Sequence, residues 1–281
     1  MRSFTTSDGV RISFQDSGGD GTPLVMLHGW QQTQEAFRHQ RSDLSTARRV
    51  ITLDFRGHGR SDKPRHGYRI SRLAMDVSEL LDHLELHQVD ALGWSMGASV
   101  WWSFIDLFGT GRLRRLVIVD QPSAITRSSW RTEQEQAESG ALFDVAMIEK
   151  MIEGLLGPQD DEQLRAAVRA ACAGELAPDL LDFMVGEMRS APSHAAAPLL
   201  YDHCAQDWRD VLPRIDVPTL VIGCEGSHVP PDSQRYVAAQ VPGARVHVFP
   251  KEVASSHFPF LQNPQAFNEV LSSFLEESPS R

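Results

Sequence analysis

Cysteine is scarce in this sequence: Cys172, Cys204 and Cys224 are the only three, and they stand far apart. They form no C-x-x-C pair and have no histidine at metal-ligand spacing, which argues against a zinc module or a disulfide framework. They read instead as reduced, semi-buried small hydrophobes. Long apolar runs are missing as well. None approaches the ~18 residues of a membrane-spanning helix, and Met1-Arg2-Ser3-Phe4-Thr5-Thr6 lacks the apolar centre of a signal peptide. Positive charge is in deficit, with Lys+Arg 27 against Asp+Glu 37 and a net charge of −10. No basic stripe breaks that balance, so neither nucleic acid nor a membrane is an expected partner. Internal repeats and low-complexity segments are absent. These absences predict a soluble, cytoplasmic protein, monomer or homodimer.

The 281 residues suffice for one large domain with an insertion. Residues 4–6 and 11–16 alternate around Asp8-Gly9, a hairpin turn signal. Short continuous apolar runs follow at 23–27, 50–54, 89–92, 116–120, 218–223 and 244–249, as expected of strands buried on both faces. Helical stretches lie between them, at about 34–44 and 232–240. Leu73, Val77, Leu80, Leu81 and Leu84 make one apolar helical face. Asn263-Pro264 reads as an N-cap and first helical position, with Phe267, Val270, Leu271, Phe274 and Leu275 as the buried stripe. Strands alternating with helices predict the α/β class, with a mostly parallel, doubly wound sheet.

That alternation stops between Gln121 and Pro213. Met147, Ile148, Met151, Ile152, Leu155 and Leu156 outline one helix, and Leu164, Val168 and Cys172 another. Segments 178–189 and 198–207 read as two more. Residues 122–213 are therefore expected to form a helical cap inserted into a core of residues 1–121 and 214–281.

The chemistry concentrates at Gly93-Trp94-Ser95-Met96-Gly97. The run before it reads as a strand and 100–108 as a helix, so this G-x-S-x-G falls on a strand-to-helix turn. Such a turn forces the serine out over the carboxyl edge of the sheet. The following helix points its N-terminal amides and positive dipole end at any anion formed there. Ser95 reads as a nucleophile.

Four motifs in this order resemble the α/β-hydrolase family over nearly the whole chain. They are His28-Gly29-Trp30, Arg56-Gly57-His58-Gly59-x-Ser61, the Ser95 turn, and Ser256-His257-Phe258-Pro259. The resemblance implies the α/β-hydrolase fold and a Ser…acid…His order. A serine hydroxyl is a poor nucleophile until an imidazole takes its proton, and the imidazole needs a carboxylate to fix its tautomer. His257 stands after the last strand, where the family keeps its base. Many members place the acid three residues beyond the glycine that ends the next-to-last strand. Here that position is Gly226, with Glu225 beside it. The favoured acid is Asp120, after the strand that follows the Ser95 helix, where some members keep theirs; Glu225 is its rival.

The resemblance also implies an oxyanion hole from the backbone amides of Met96 and Trp30. His28 is expected to order that loop and His58 a structural turn. His39, His66, His83, His87 and His203 read as surface or satisfied core residues. Trp30, Trp94, Trp130, Met147, Met151, Met184 and Met188 are candidates for a substrate pocket between cap and sheet, and His28 stands beside it. The expected activity is that of a serine hydrolase on an ester, thioester or lactone of a compact, mostly apolar small molecule, with no metal and no cofactor. Serine at the turn excludes the aspartate-dependent dehalogenase and epoxide-hydrolase chemistry of this fold. A second implied activity is that of the cofactor-free dioxygenases opening 3-hydroxy-4-quinolone rings with a His–Asp dyad, although that group tends to flank its serine with histidines, where this chain has Trp94 and Met96. A third is a non-catalytic ligand receptor, which need not retain serine, histidine and acid together.

Overall fold

The computed structural model describes residues 1–158 and 160–277. Alternation around Asp8-Gly9 yields β1 (Arg2–Thr5) and β2 (Arg11–Asp16), paired antiparallel with Phe4 opposite Ile12. The apolar runs become β3 (Leu24–Leu27), β4 (Val50–Leu53), β5 (Val89–Trp94), β6 (Leu113–Val119), β7 (Thr219–Cys224) and β8 (Arg245–Phe249). All eight form one sheet in the order β1-β2-β4-β3-β5-β6-β7-β8, parallel from β4 to β8. Every residue of β3, β4, β5 and β7 is buried, which is why these strands carry no polar–apolar alternation.

Helices cover both faces. On one face lie α2 (Ile70–His83) and α3 (Met96–Phe108). Ile70, Leu73, Ala74, Val77, Leu80 and Leu81 form the buried stripe of α2 at helical spacing. The first ten residues of α3 are all buried, including Trp101 and Trp102, so this helix is the centre of the core. On the other face, α1 (Arg38–Leu44) packs with α11 (Pro264–Glu276). Asn263 caps α11 by accepting from the Ala266 amide at 3.2 Å.

Between β6 and β7 the described residues add no strand to the sheet. They form α4 (Glu133–Ser139), α5 (Val145–Leu156), α6 (Asp161–Ala170), α7 (Pro178–Met188) and α8 (Ser193–Ala205). Two boundaries differ from the sequence expectation. Helix α8 starts at Ser193, ahead of the expected 198, with Pro198 inside it. A proline there removes one helical hydrogen bond, and Ala195, Ala196 and Ala197 in the turn before it are buried. Cys172 lies beyond α6, bridged to Ser227 and Ser256 in extended backbone. After β7 come α9 (Pro231–Gln240) and, beyond β8, the short α10 (Pro259–Gln262). No helix of the described residues is long and apolar enough to cross a membrane.

A buried ion network ties the hairpin turn to the loop after β4. Arg56, fully buried, donates to Asp76 on α2 at 2.6 and 2.7 Å and to Asp8 at 2.9 and 3.0 Å. Removing the guanidinium leaves the buried Asp76 carboxylate to Arg72 alone, which reaches only Oδ1 at 2.7 and 2.9 Å, and leaves Oδ2 without its donor. Arg56→Met is therefore expected to lower unfolding free energy by about 3–5 kcal/mol, read from urea denaturation midpoints. A midpoint unchanged from the parent protein refutes this role.

Candidate active site

Ser95 sits between β5 and α3 with φ 52 and ψ −124, a conformation that an L-residue holds only under constraint. The constraint is close packing of the helix start against the sheet. A Cβ on Gly97 would lie 2.1 Å from the Leu27 carbonyl oxygen, and one on Gly93 would lie 2.5 Å from the Ala98 nitrogen. Asp120, directly after β6, also has φ 52, as does Gln31 with φ 54 in the loop after β3. Three of the four described non-glycine residues with positive φ thus stand at the carboxyl ends of neighbouring strands.

The structure joins Asp120 to His257. His257 Nδ1 donates to Asp120 Oδ2 at 2.7 Å, and the Ser227 hydroxyl donates to the same oxygen. Burial pushes the Asp120 carboxyl upward, against the Ser227 hydrogen bond that favours its charged form. Burial lowers His257, which keeps the ring neutral at pH 7 with its proton on Nδ1 and a free lone pair on Nε2. The backbone of His257 is held on both sides. Its amide donates to the Ala171 carbonyl at 3.1 Å, and its carbonyl accepts from the Trp94 indole at 2.7 Å. The His228 ring packs against it at 4.5 Å between centroids.

Glu225, the rival acid, is exposed and makes no hydrogen bond to this pair among the described residues. Gly226 is glycine for a steric reason: a Cβ there would lie 2.6 Å from the Ser255 carbonyl oxygen. Its own carbonyl accepts from the Ala173 amide at 2.6 Å. The loops after β7 and β8 and the segment after α6 close on each other at this point, leaving no room for a carboxylate.

The loop after β3 passes against Ser95: a Cβ on Gly29 would lie 3.3 Å from the serine Cβ. Among the described residues, the Trp30 and Met96 amides donate no hydrogen bond. Two buried histidines brace this loop. His28 Nε2 accepts from the Phe55 amide at 3.1 Å while Nδ1 faces the Gly29 carbonyl at 2.8 Å. His58 Nε2 accepts from the Gln31 amide at 3.2 Å while Nδ1 faces the Arg56 carbonyl at 3.1 Å. Both rings must stay neutral to accept, and burial lowers them to about 4 and about 3.

Ser95, His257 and His228 line a cavity of about 380 Å³. Trp30 and Trp94 line it from the sheet side, and Phe143, Met151, Met184, Met188 and His203 from the segment between β6 and β7. Among the described residues no Asp, Glu, Lys or Arg lines it. Three pocket expectations are corrected. Trp130 is 80% exposed, in a turn on the outer side of the insertion. Met147 is 48% exposed, because α5 turns Ile148, Met151 and Leu155 inward. His28 is sealed behind the loop and does not line this cavity. His203, expected as surface or satisfied core, lines the cavity. Ser227 and His228 carried no sequence signal, but His203 did: it follows Leu199 and Leu200 at helical spacing, on the inward face of α8.

A mostly parallel sheet with a strained serine at the end of a central strand, lining one cavity with the histidine of a His–Asp pair from later strands, defines an α/β-hydrolase. The chain belongs to the alpha/beta hydrolase family, whose profile matches residues 24–270. It is 30% identical to a non-heme chloroperoxidase of Streptomyces lividans over 79% of this chain and 80% of that one. It is 27% identical to a non-heme haloperoxidase of Rhodococcus erythropolis over 97% and 98%. Among solved structures it resembles an esterase from Exiguobacterium antarcticum, with TM-score 0.86, 27% identity and coverage of 98% and 99%.

The neutral histidine braces make stability pH-dependent. His58 has an ordinary value of 6.5 when unfolded and about 3 when folded. Below pH 6.5 the unfolded chain therefore binds this proton and the folded one does not, so stability falls as pH falls through that window. His58→Gln, which can still accept from Gln31, is expected to flatten the dependence of unfolding free energy on pH by about 1.4 kcal/mol per unit between pH 6 and 4.5. Parallel slopes in the two proteins would show that His58 is not held neutral.

Proposed function

We propose that the chain is a serine hydrolase that cleaves an ester, thioester or lactone of a compact, uncharged, mostly apolar molecule. The observation that carries this reading is the His257–Asp120 hydrogen bond at 2.7 Å beside a cavity that Ser95 also lines. In this reading Ser95 Oγ attacks the carbonyl carbon while His257 Nε2 takes its proton. The Trp30 and Met96 amides stabilise the oxyanion. The tetrahedral intermediate collapses, the carbonyl-to-leaving-group bond breaks, and His257 returns the proton to the departing oxygen or sulfur. Water then enters by the same base and releases the acid from Ser95. Asp120 keeps the imidazole in the Nδ1–H tautomer and stabilises its charged form in each step.

The cavity supports the substrate class. Its size lies at the lower end of small-molecule sites, which run about 300–1,000 Å³. A charged group entering it would lose hydration without gaining an opposite charge. The segment 122–213 acts in this reading as a cap that supplies most of the apolar wall. The esterase likeness agrees with this chemistry.

The test combines p-nitrophenyl ester hydrolysis with labelling. Ser95→Ala is expected to lower kcat by on the order of 10³-fold or more with the circular dichroism spectrum retained. Asp120→Asn should lower it by about 10⁴-fold, whereas Glu225→Gln should stay within about a factor of ten. An organophosphate should add to Ser95, read by peptide mass. Turnover that needs O₂ and survives Ser95→Ala would replace the acyl-serine mechanism with the dioxygenase alternative.

A further inference from the structure

His203 is 5% exposed, and its ring lines the cavity that holds Ser95, His228 and His257. It makes no hydrogen bond through either ring nitrogen among the described residues. Nδ1 is sealed and unpartnered; Nε2 is not sealed, so it is the nitrogen open to the cavity. A neutral imidazole carries one N–H, and a buried N–H without an acceptor is the less tolerated of the two possible vacancies. The proton therefore belongs on Nε2, which makes the ring a hydrogen-bond donor into the cavity. Burial and the neighbouring His257 both keep His203 uncharged.

A polar side chain in a mostly apolar wall, which Gln32, Gln121 and His228 also line, selects its ligand. A molecule that brings an acceptor satisfies the N–H, and one that does not leaves it desolvated and unpaired. A carboxylate is the wrong acceptor here, since no Lys or Arg among the described residues lines the cavity to balance it. The scissile carbonyl is also the wrong acceptor, because the free Trp30 and Met96 amides beside Ser95 serve that oxygen. His203 instead projects from α8, on the inserted-helix side. We infer that His203 is a specificity-determining residue that donates from Nε2 to a second, uncharged acceptor oxygen on the apolar body of the substrate. Ethers, ketones and esters supply such an oxygen. This rests on the hydrolase reading for its assay but not for its binding geometry.

The experiment compares p-nitrophenyl hexanoate with its isosteres carrying an ether oxygen in place of carbon 3, 4 or 5. In the parent protein at least one isostere is expected to exceed hexanoate in kcat/KM by roughly tenfold or more, after correction for uncatalysed hydrolysis. His203→Leu should bring that ratio to about one. His203→Gln, which keeps an N–H donor, should restore part of it. A ratio near one in the parent protein, or a preference that survives His203→Leu, overturns the inference. So does an equal loss on all four esters in both variants, which would mark a packing role. If no ester is hydrolysed, the hydrolase reading fails alone, and the same series is titrated into Ser95→Ala with and without His203→Leu. A preference in Kd that disappears with His203 upholds the inference; a preference that is absent or unaffected ends it.

Discussion

The hydrogen bond between His257 and Asp120 is the contact on which the rest of the site depends. It joins the ends of two strand-following loops far apart in the chain, at 2.7 Å, in a place that burial makes unfavourable for either charge alone. Burial is also what makes the bond strong, because water does not compete for the carboxylate. The price in strain is visible in the φ of 52 at Asp120. Ser227 helps to hold the carboxylate from the loop after β7, so the element that would carry the acid in many relatives supplies a supporting hydroxyl here instead.

A second theme is that the inserted helices reach into the machinery as well as covering it. Ala171 holds the His257 backbone, and Ala196 on α8 accepts from the Trp30 indole at 3.0 Å. On α7 the Met184 carbonyl accepts from Gln32 at 3.4 Å, and Glu187 accepts from the Thr33 hydroxyl. The loop carrying the free Trp30 amide is therefore pinned from two inserted helices on one side and by His28 and His58 on the other. Rigidity of that loop follows from these partners, since its own backbone makes few internal hydrogen bonds. Oxyanion stabilisation needs donors that do not reorganise during reaction, and this bracing meets that requirement.

The cavity itself is chemically sparse. Apolar side chains from the sheet edge and the insertion leave His203 and His228 as its histidines besides His257. In such surroundings one unpaired N–H carries more discrimination than it would at a wet surface, because the alternative partner, water, is mostly excluded.

Much of this protein was legible in the sequence because the physics behind it is local. Continuous apolar runs are strands buried on both faces, and a glycine-flanked serine between strand and helix has few other uses. The order of the four motifs specified which strand ends carry chemistry, and Gly226 already excluded the commoner acid position. Helical spacing in the insertion identified helices, yet it did not say which side of each one turns inward; Trp130 and Met147 face solvent while Met151 faces the cavity. The exclusion of Glu225 in favour of the expected His257–Asp120 pair, support from Ser227, and the unpartnered nitrogen of His203 came only with the tertiary structure. Those features are distances and vacancies between segments remote in the chain, set by how loops close over a twisted sheet, and no periodicity within a segment encodes them.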